Sequence, residues 1–432
     1  MMEPNTLETR LSRGELDATL KTLYGAGGMK SARERCTQVL ERFRQTFDCP
    51  AEALFSAPGR TELGGNHTDH QHGRVLAAAV DLDILAAAAP NQSGMIRVQS
   101  QGYPLIVVDL RERDPRPEER NTSAALIRGV ASRLAELGCS FAGAGVDVYM
   151  TSSVPGGSGL SSSAAFEVLM GTLLNDLFFG GRCTPVELAQ IGQYAENVYF
   201  GKPCGLMDQT ASSVGGVVAI DFADPAAPVV EQINLDLEAN GYALCILDSG
   251  ADHADLTAEY AAITEELRAV CGCFGKNVLR EVPEEAFLAA LPQVREKAGD
   301  RAALRAMHVY AENRRAKAQA DALRQGDFDG FLALVRASGA SSAMFLQNVI
   351  PTGQTARQEL MVTIALCQAL LGGRARSGPR RRLRRHGPGL CPPGAGGAVP
   401  AGDGGGAGQG RLPCGDDPPG GRRPDRIRRR RR

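Results

Sequence analysis

The amino-acid sequence predicts an α+β fold, in which strand-rich and helix-rich regions follow one another along the chain. Residues 53–151 contain several segments typical of strands and one helix, and strand patterns return in residues 229–249. Residues 254–370 have a mostly helical pattern. Apolar residues make up 43% of the chain, which is enough for a globular core, and a length of 432 residues predicts two or three domains.

The spacing of apolar residues places individual elements along the chain. Residues 1–50 are helix-rich and contain an amphipathic stretch from Ala32 to Phe47. Further strands and one further helix are predicted at Gly73–Ala87, Leu105–Leu110, Gly241–Leu247 and near Ser123–Leu137. Strands and helices are thus unevenly distributed, which favours α+β over a regular strand–helix alternation.

Composition indicates a protein of the reducing cytoplasm. No apolar run approaches ~20 residues, so no membrane span is expected. The first ten residues lack the apolar core of a secretory signal. Eleven cysteines are scattered along the chain, and an odd count without a signal predicts free thiols. We therefore expect a cytoplasmic localisation and no membrane partner.

Residues 154–168 read Val-Pro-Gly-Gly-Ser-Gly-Leu-Ser-Ser-Ser-Ala-Ala-Phe-Glu-Val and hold the most informative pattern in the chain. The glycines allow tight backbone turns, and a helix is expected from Ala164 to Leu174. A glycine loop leading into a helix N-terminus presents unpaired N–H groups and a positive dipole end, which suit a phosphate. The loop is not a Walker A motif, because no Gly-Lys-Ser/Thr follows the glycines. Taken alone, it is also compatible with a plain glycine turn capped by serine.

Residues 57–73 form a second polar segment, in which glycines enclose many hydrogen-bonding side chains. The polar residues are Arg60, Glu62, Asn66, His67, Asp69, His70 and His72. So many polar side chains in what reads as one tight turn suit a polyhydroxylated ligand. The histidines match no zinc-ligand spacing and no cysteine lies nearby, so a hydrogen-bonded turn is the better interpretation than a metal site.

A third segment joins two acidic residues, Glu196 and Asp208. Glu196 lies late in a helical stretch that starts near Thr184, and Gly201 and Pro203 end that helix. Asp208 follows a glycine and is placed to open another element. By itself Asp208 is most simply a helix N-cap, but with Arg60 and the glycine loop it becomes a candidate general base.

The three segments together resemble galactokinases, members of the GHMP superfamily of small-molecule kinases. Residues 57–73 resemble the galactokinase signature, and residues 154–168 resemble the phosphate loop of the superfamily. Residues 196–209 resemble a third family segment, in which a Glu is followed by Cys-Gly-Xaa-Met-Asp-Gln. A weaker match runs from Asp248-Ser249 to Glu259-Tyr260, and order and spacing agree from about residue 37 to about residue 373. Asn66 stands where many galactokinases have Glu, and His70 where Tyr is common, which leaves the fine sugar specificity open.

The resemblance implies a two-domain GHMP kinase-like architecture with the active site in the cleft between the domains. Residues 1–225 would form the N-terminal domain, residues 226–373 an incomplete C-terminal domain, and residues 374–432 an aberrant disordered tail. The implied reaction is ATP-dependent phosphorylation of galactose at the anomeric hydroxyl, giving galactose 1-phosphate, the first committed step of galactose catabolism. The expected partners are the sugar and ATP, the expected cofactor besides ATP is Mg²⁺, and a monomer is expected.

The resemblance also implies roles for individual residues. Asp208 and Arg60 are the expected catalytic pair, with Asp208 as base or as an orienting carboxylate beside the cationic Arg60. The residues expected to bind the sugar are Asn66, His67, Asp69 and Tyr260. The residues expected to bind ATP are Gly156, Gly157, Ser158, Gly159, Leu160, Ser161 and Ser162. Ser163 and Glu196 are the expected magnesium ligands.

Two other functions on the same fold are compatible with these motifs. One is a sibling kinase acting on another hexose, such as N-acetylgalactosamine. The other is a regulatory protein that senses galactose and ATP without catalysis. The intact Ser161–Ala165, Glu196 and Asp208 argue against the sensor.

The tail, residues 374–432, differs from the rest in charge and composition. It contains sixteen arginines and four aspartates, giving +12, whereas the remainder carries −13. It is crowded with glycine and proline and has few β-branched residues, so composition predicts disorder. A basic arm that binds nucleic acid is one interpretation of this charge. We prefer another, because galactokinases usually carry a third glycine motif here and this chain has none.

The preferred interpretation is a shift of the reading frame near residue 374. Glycine codons begin GG and arginine codons can be CGG, so a one-base shift exchanges the two residues. GC-rich codons for Arg380–Cys391, re-read one base out of register, permit Gly-Gly-Gly-Phe-Ala-Gly-Thr-Val-Gln-Ala-Phe-Val. Continuing to Gly420, the same shift permits an amphipathic helix followed by a strand. Nucleic-acid binding by the tail is therefore not expected.

Overall fold

The computed structural model describes residues 6–156, 159–249 and 257–370, together with three short strands at 376–377, 386–391 and 425–428. It contains helices and sheets in the uneven order expected of an α+β protein. No helix among the described residues is long and apolar enough to cross a membrane. The α+β class predicted from the sequence is therefore confirmed.

Two helices at the N-terminus, α1 (Leu7–Ser12) and α2 (Asp17–Phe47), cover one face of the main sheet. Helix α2 is kinked at Gly25, whose positive φ of 68° interrupts the helical backbone. The amphipathic stretch predicted from Ala32 to Phe47 is confirmed as the second part of α2, and its buried side chains pack on Leu54 and Tyr149.

The main sheet is built around one long strand, β2. Its strands between residues 53 and 233 are β1 (Ala53–Gly64), β2 (Arg74–Asn91), β3 (Met95–Ser100), β4 (Ile106–Asp109), β5 (Gly145–Ser152), β6 (Val217–Asp221) and β7 (Val229–Ile233). Strand β2 pairs with β1 on one side, and on the other with β6 near its start and β5 near its end. Strands β3 and β5 are parallel, and the other pairs are antiparallel. This arrangement places Arg60 of β1 opposite Ala79 of β2.

Helices on the opposite face of the sheet carry part of the predicted site, including Ser163 and Asp208. They are α3 (Ser123–Glu136), α4 (Ser162–Phe178), α5 (Pro185–Tyr194) and α6 (Met207–Val214). Side chains alternate between the two faces along each strand, so Leu54 packs toward α2, whereas Phe55 packs in the core that contains Leu169 of α4. The sheet is thus covered on both faces, which fixes β1 between two layers of helices.

The second half of the chain is mostly helical, as predicted. Strand β8 (Ala243–Asp248) precedes α7 (Thr257–Gly272), α8 (Glu284–Ala289), α9 (Leu291–Ala298), α10 (Asp300–Arg324), α11 (Phe328–Ser341) and α12 (Glu359–Leu370). Helix α10 packs against α7 and α11 and also contacts β1 and β2. The second half therefore meets the first at the connection between these two strands.

In the tail the structure describes three strands, β9 (Arg376–Ser377), β10 (His386–Cys391) and β11 (Asp425–Arg428). Strand β10 pairs with β8 and β9, and β11 pairs with β1. The other residues from 371 onward lie outside the described residues, so the predictions of a disordered tail and of an altered reading frame stay predictions. The proposed domain boundaries also stay predictions.

A buried carboxylate, Asp83, ties α2 to the sheet. It accepts hydrogen bonds from Tyr24 Oη at 2.7 Å, from Ser56 Oγ and from the Arg35 guanidinium. Arg35 also donates to the Asp83 and Thr151 carbonyls at 3.1 and 3.2 Å. Asp83 is fully buried, so its charge depends on these partners.

Replacing Asp83 with alanine is expected to lower the free energy of unfolding by about 3–5 kcal/mol, because it leaves the Arg35 cation without its buried counter-ion. Chemical denaturation of the purified protein measures this loss. Asp17→Ala is the matched control, since Asp17 pairs with Arg33 at the surface and such pairs contribute at most about 1 kcal/mol. Equal losses in the two variants would contradict the role given to Asp83.

Candidate active site

The segment predicted as one tight turn, residues 57–73, begins as a strand in the structure. Arg60 and Glu62 belong to β1, and only residues 65–73 form the turn, so that part of the prediction is wrong. Residues 57–64 are extended because β1 pairs with the neighbouring strand β2 as far as Gly64. The register of this pairing shifts at Gly59 and at Leu63. A Cβ atom at Gly59 would lie 2.9 Å from the Leu160 carbonyl oxygen, so this close approach requires glycine.

Arg60 and Asp208 form a bidentate ion pair at the centre of the site. Arg60 Nε donates to Asp208 Oδ1 at 2.9 Å, and Arg60 Nη2 donates to Asp208 Oδ2 at 2.8 Å. The third donor group of Arg60, Nη1, bonds to the Gly159 carbonyl at 2.5 Å. Arg60 is only 4% exposed, and the Asp208 side chain is 15% exposed. The structure thus brings together two residues that are 148 positions apart in the sequence.

The glycine loop leads into α4, as the sequence predicts. Gly159 has a φ of 82°, Ser161 has a φ of 56°, and the helix starts at Ser162. Ser161 does not cap α4 with its side chain; its hydroxyl instead donates to Asp208 Oδ2. The N-terminal amides of α4 therefore lie beside the Arg60–Asp208 pair. Gly157 and Ser158, two of the predicted ATP-binding residues, lie outside the described residues.

Glu196 lies in a widened helical turn that follows α5. Helix α5 begins with a capping box, in which Thr184 and Glu187 bond to each other's backbone N–H. Residues Ala195–Phe200 continue it as a π-helical turn, which ends at Gly201 with a φ of 85°. Such turns are rare and often occur at functional sites. The sequence correctly predicted the helix start and its end at glycine, but not the π-helical geometry.

Four polar residues surround the Glu196 carboxylate, which is buried. Ser163 Oγ donates to Glu196 Oε1 at 3.5 Å, and Lys202 Nζ donates to the same oxygen at 2.7 Å. Gln209 Nε2 contacts Glu196 Oε2 at 3.1 Å and Glu167 Oε2 at 3.0 Å, so one amide joins two carboxyl groups. Burial, and then the nearby Glu196 charge, raise the pKa of Glu167 well above its ordinary value, which favours a neutral Glu167.

The predicted sugar-binding residues come together around the turn. His70 Nε2 and Tyr260 Oη lie 2.9 Å apart, and the rings of His67 and Tyr260 have centroids 5.3 Å apart. Asp69 is buried, with Oδ1 3.9 Å from His70 Nε2. Asn66 donates through Nδ2 to Ser342 Oγ at 2.7 Å, and its Oδ1 has no hydrogen-bond partner among the described residues. Tyr260 on α7 thus joins residues of the turn from a distant part of the sequence.

Sequence reasoning missed several polar residues that hold these groups in place. They are Glu167, Lys202, Gln209, His308 and Glu312. Glu167 follows Ser163 by four positions and so shares its helix face, a signal that could have identified it. The two residues on α10 gave no such signal, because nothing in the sequence says which loop they contact.

The described residues contain no cluster of side chains typical of a metal-binding site. No group of three or more His, Cys, Asp or Glu side chains there is arranged to hold a metal ion. The predicted ligands Ser163 and Glu196 are a hydroxyl and a single carboxylate, which do not form such a group, and their role as metal ligands stays a prediction.

Comparison with known proteins agrees with this fold and site. The family model for the N-terminal domain of GHMP kinases matches residues 125–216, which include the glycine loop, Glu196 and Asp208. The solved mevalonate kinase of Methanococcus jannaschii has the same fold, with a TM-score of 0.53 at 14% identity over 79% of this chain and 90% of that chain. The fold and the site therefore define a GHMP kinase. A second family model, the galactokinase galactose-binding signature, matches residues 41–90. The chain belongs to the galactokinase family.

Individual relatives support this membership. A galactokinase of Streptomyces coelicolor is 34% identical over 340 residues, which is 78% of this chain and 85% of that protein. A galactokinase of Lacticaseibacillus paracasei is 32% identical over 71% of this chain and 79% of that protein. The crystal structure of Lactococcus lactis galactokinase complexed with galactose superimposes with a TM-score of 0.68 at 25% identity, covering 83% of this chain and 90% of that one.

Proposed function

We infer that the chain is an ATP-dependent galactokinase, which transfers a phosphoryl group to the anomeric hydroxyl of galactose. The observation that carries this inference is the buried bidentate Arg60–Asp208 pair beside the N-terminus of α4. Strand β1, which holds Arg60, runs directly into the turn that carries the proposed sugar-binding residues. Strand β1 thus places Arg60 of the ion pair close to the turn that carries Asn66, His67 and Asp69. We also propose that the enzyme is a cytoplasmic monomer.

Asp208 faces the sugar hydroxyl in this proposal. It either accepts the hydroxyl proton as the reaction proceeds, or it orients the hydroxyl and stabilises the array electrostatically. Arg60 and Ser161 hold its two oxygens, so the carboxylate cannot rotate freely. A fixed carboxylate keeps the attacking oxygen in line with the phosphoryl group, which is a large part of catalysis in phosphoryl transfer.

The ATP phosphates are proposed to bind at the start of α4. Helix N-terminal amides and the helix dipole favour phosphate oxygens. Negative charge grows on the transferred group, so donors fixed beforehand stabilise the transition state more than the ground state. Arg60 lies within reach of both Asp208 and the loop, and its cation is available to offset this charge.

The sugar hydroxyls are proposed to bind Asn66, His67, Asp69 and Tyr260. A buried carboxylate such as Asp69 discriminates between epimers, because a sugar with the wrong stereochemistry leaves it without its hydrogen bonds. The Asn66 Oδ1 atom adds an acceptor at the same turn.

Magnesium is the proposed cofactor, and the residues present fit it. Ser163 Oγ and Glu196 Oε1 lie 3.5 Å apart, close enough for both oxygens to contact one small cation if the Lys202 ammonium, now 2.7 Å from Oε1, moves aside. Hard oxygen ligands suit Mg²⁺, which commonly keeps several waters. When bound, the ion offsets phosphate charge during transfer. Glu196 is the one anionic side chain proposed to hold the ion.

The experiment that tests the function is an assay of ATP-dependent product formation with galactose, N-acetylgalactosamine and glucose in parallel. Galactose 1-phosphate as the preferred product supports the proposal. Faster turnover of N-acetylgalactosamine would favour the sibling kinase. Tight galactose binding without turnover, in a chain with an intact C-terminus, would favour the sensor.

Replacing Glu196 with glutamine is expected to raise the magnesium concentration needed for half-maximal activity. The amide keeps the shape of the side chain but removes the anionic ligand, which weakens binding of a hard cation. A magnesium titration at saturating ATP and galactose measures the shift. Ser163→Ala should give a smaller shift, because a neutral hydroxyl contributes less than a carboxylate. An unchanged magnesium dependence in Glu196→Gln would place the carboxylate ligand elsewhere.

A further inference from the structure

The sugar-binding turn is held by a helix that follows it by more than two hundred residues. Four side chains of α10 bond to backbone groups on either side of the turn. His308 Nε2 contacts the Asn66 carbonyl at 3.0 Å, and Glu312 Oε1 accepts from the Gly65 N–H at 3.1 Å. Asn313 Oδ1 accepts from the Arg74 N–H at 2.7 Å, and Gln319 Nε2 donates to the Leu63 carbonyl at 3.2 Å.

Three of these four helix side chains are fully buried where they meet the turn. His308, Glu312 and Gln319 have no exposed surface. A carbonyl can only accept, so His308 Nε2 carries the proton, and Nδ1 accepts from Ser341 Oγ at 2.8 Å. Burial lowers the pKa of His308, which is consistent with this neutral form. The orientation of the imidazole is therefore set on both sides.

Helix α11 and the π-helical turn after it, Ser342–Leu346, also bond to Glu312 and to the Asn66 side chain. Ser338 Oγ donates to Glu312 Oε1, the oxygen that also receives the Gly65 N–H. Ser342 Oγ contacts Asn66 Nδ2 directly. Glu312 Oε2 accepts from Arg315 at 2.7 Å, so its charge is paired. The contacts of the turn are thus part of a connected buried network, which is geometrically more restrictive than isolated bonds.

Close packing explains why the turn has glycines at its ends. A Cβ atom at Gly64 would overlap the Gln319 amide, and one at Gly73 would overlap the Asn313 amide. Between them, His67 adopts a φ of 62°, a conformation that is unusual for a residue with a side chain. Such a backbone persists only when its surroundings hold it.

We propose that α10 is the template for the sugar-binding turn, with His308 and Glu312 as positioning residues that set galactose affinity. This proposal rests on the proposed function, because it takes residues 65–73 as part of the sugar site. His308 fixes the carbonyl of Asn66, and Glu312 fixes the N–H of the residue before it. Loss of either contact frees the backbone that carries Asn66, His67 and Asp69.

The template predicts a selective effect on sugar binding. The Arg60–Asp208 pair and the phosphate loop are held by β1, α4 and α6, which do not depend on His308 or Glu312 for the contacts described above. Loosening the turn should therefore weaken galactose binding while leaving ATP binding and the rate at saturating galactose much less affected. A residue that only stabilised the fold would change all of these in proportion to the folded fraction.

The test compares Glu312→Ala and His308→Ala with Glu312→Gln and His308→Gln in the full-length chain with its C-terminal reading frame restored. Galactose affinity is measured by calorimetry, and KM for galactose and ATP by steady-state kinetics. We expect each alanine variant to weaken galactose binding about 10-fold, as loss of one buried hydrogen-bonded contact does. The glutamine variants should recover much of this affinity. The amide oxygen in Glu312→Gln can accept from the Gly65 N–H, and the amide nitrogen in His308→Gln can donate to the Asn66 carbonyl.

Tyr310→Phe is the matched control, because Tyr310 is a buried α10 residue whose hydroxyl donates to the Val282 carbonyl at 3.0 Å, away from the turn. Hydrogen exchange of peptides covering residues 62–76 supplies a readout that needs no sugar. Exchange should rise in the alanine variants and not in Tyr310→Phe. Unchanged exchange with unchanged galactose affinity would overturn the template. Absence of galactose binding in the frame-restored chain without substitutions would count against the proposed function. Hydrogen exchange would still show whether α10 holds the turn.

Discussion

In the chain with an intact C-terminal reading frame, Asp208→Ala is expected to lower the turnover number by a factor of about 10²–10⁴, because a positioned base or orienting carboxylate contributes about that much. Nucleotide affinity should change far less, since the phosphates are proposed to bind α4. The alanine leaves the buried Arg60 without its bidentate partner, so stability must be measured beside activity. Single-turnover kinetics at saturating ATP and galactose separate the chemical step from binding.

A second bidentate Arg–Asp pair in the same chain supplies the control. Asp147 accepts from Arg97 Nε and Nη2, both at 2.6 Å, on the main sheet, and its side chain is 4% exposed. Asp147→Ala should cost stability but leave turnover of the folded protein near normal. Near-normal turnover in Asp208→Ala, or an equal loss in both variants, would remove Asp208 from the catalytic role.

Restoring the reading frame by one base near codons 373–376 is expected to turn a poorly stable or inactive protein into an active galactokinase. Helix α12 ends just before the tail, and Val362, Leu366 and Leu370 are each at least half exposed along one side of it. A monomer rarely leaves such an apolar row uncovered. The closing elements encoded in the shifted frame would supply apolar residues to cover it.

Three measurements check this prediction. Sequencing the gene around codons 370–385 shows whether the other frame encodes Gly-Gly-Gly-Phe. Thermal unfolding and galactokinase activity are then compared between the chain with its arginine-rich tail and the chain with its reading frame restored. Truncation after Gly373 is the control, because it removes the basic tail without supplying the glycine motif, and it should not recover activity. Full activity of the chain with its arginine-rich tail, or absence of a Gly-Gly-Gly-Phe segment in the other frame, would contradict the frameshift interpretation. The tail would then be better interpreted as a basic arm that binds nucleic acid.

Local sequence patterns predicted the features that depend on neighbouring residues. The helix expected near Ser123–Leu137 is Ser123–Glu136 in the structure, and the strand expected at Leu105–Leu110 is Ile106–Asp109. The glycine loop and the helix break at Gly201 were also predicted, because glycine and proline act within a few residues. A new element was expected at Asp208, and α6 begins one residue earlier, at Met207, so Asp208 lies in its first turn and is not its N-cap. The resemblance to galactokinases then supplied what spacing could not, namely that Arg60 and Asp208 belong together.

The remaining features depend on contacts between distant segments. Residues 57–64 contain glycine and proline and so resemble a turn, but pairing with β2 makes them part of a strand. Gln209 joins Glu167 to Glu196 only after α4, α5 and α6 have packed. His308 and Glu312 read as ordinary polar residues of a helix until α10 is seen against the turn.

The sequence separation between the turn and α10 means that the proposed sugar site can form only late in synthesis of the chain. Asn66 and His308 are 242 residues apart, so a ribosome working at about 5–20 residues per second needs roughly 10–50 s to pass from one to the other. During that interval the nascent β1–β2 hairpin lacks the helix that shapes its turn. With α10 as the template, galactose binds more tightly to chains that have been synthesised past it, and it stabilises them more than shorter chains. The sugar then acts mainly on the last stage of folding, and growing chains receive less stabilisation from their own substrate.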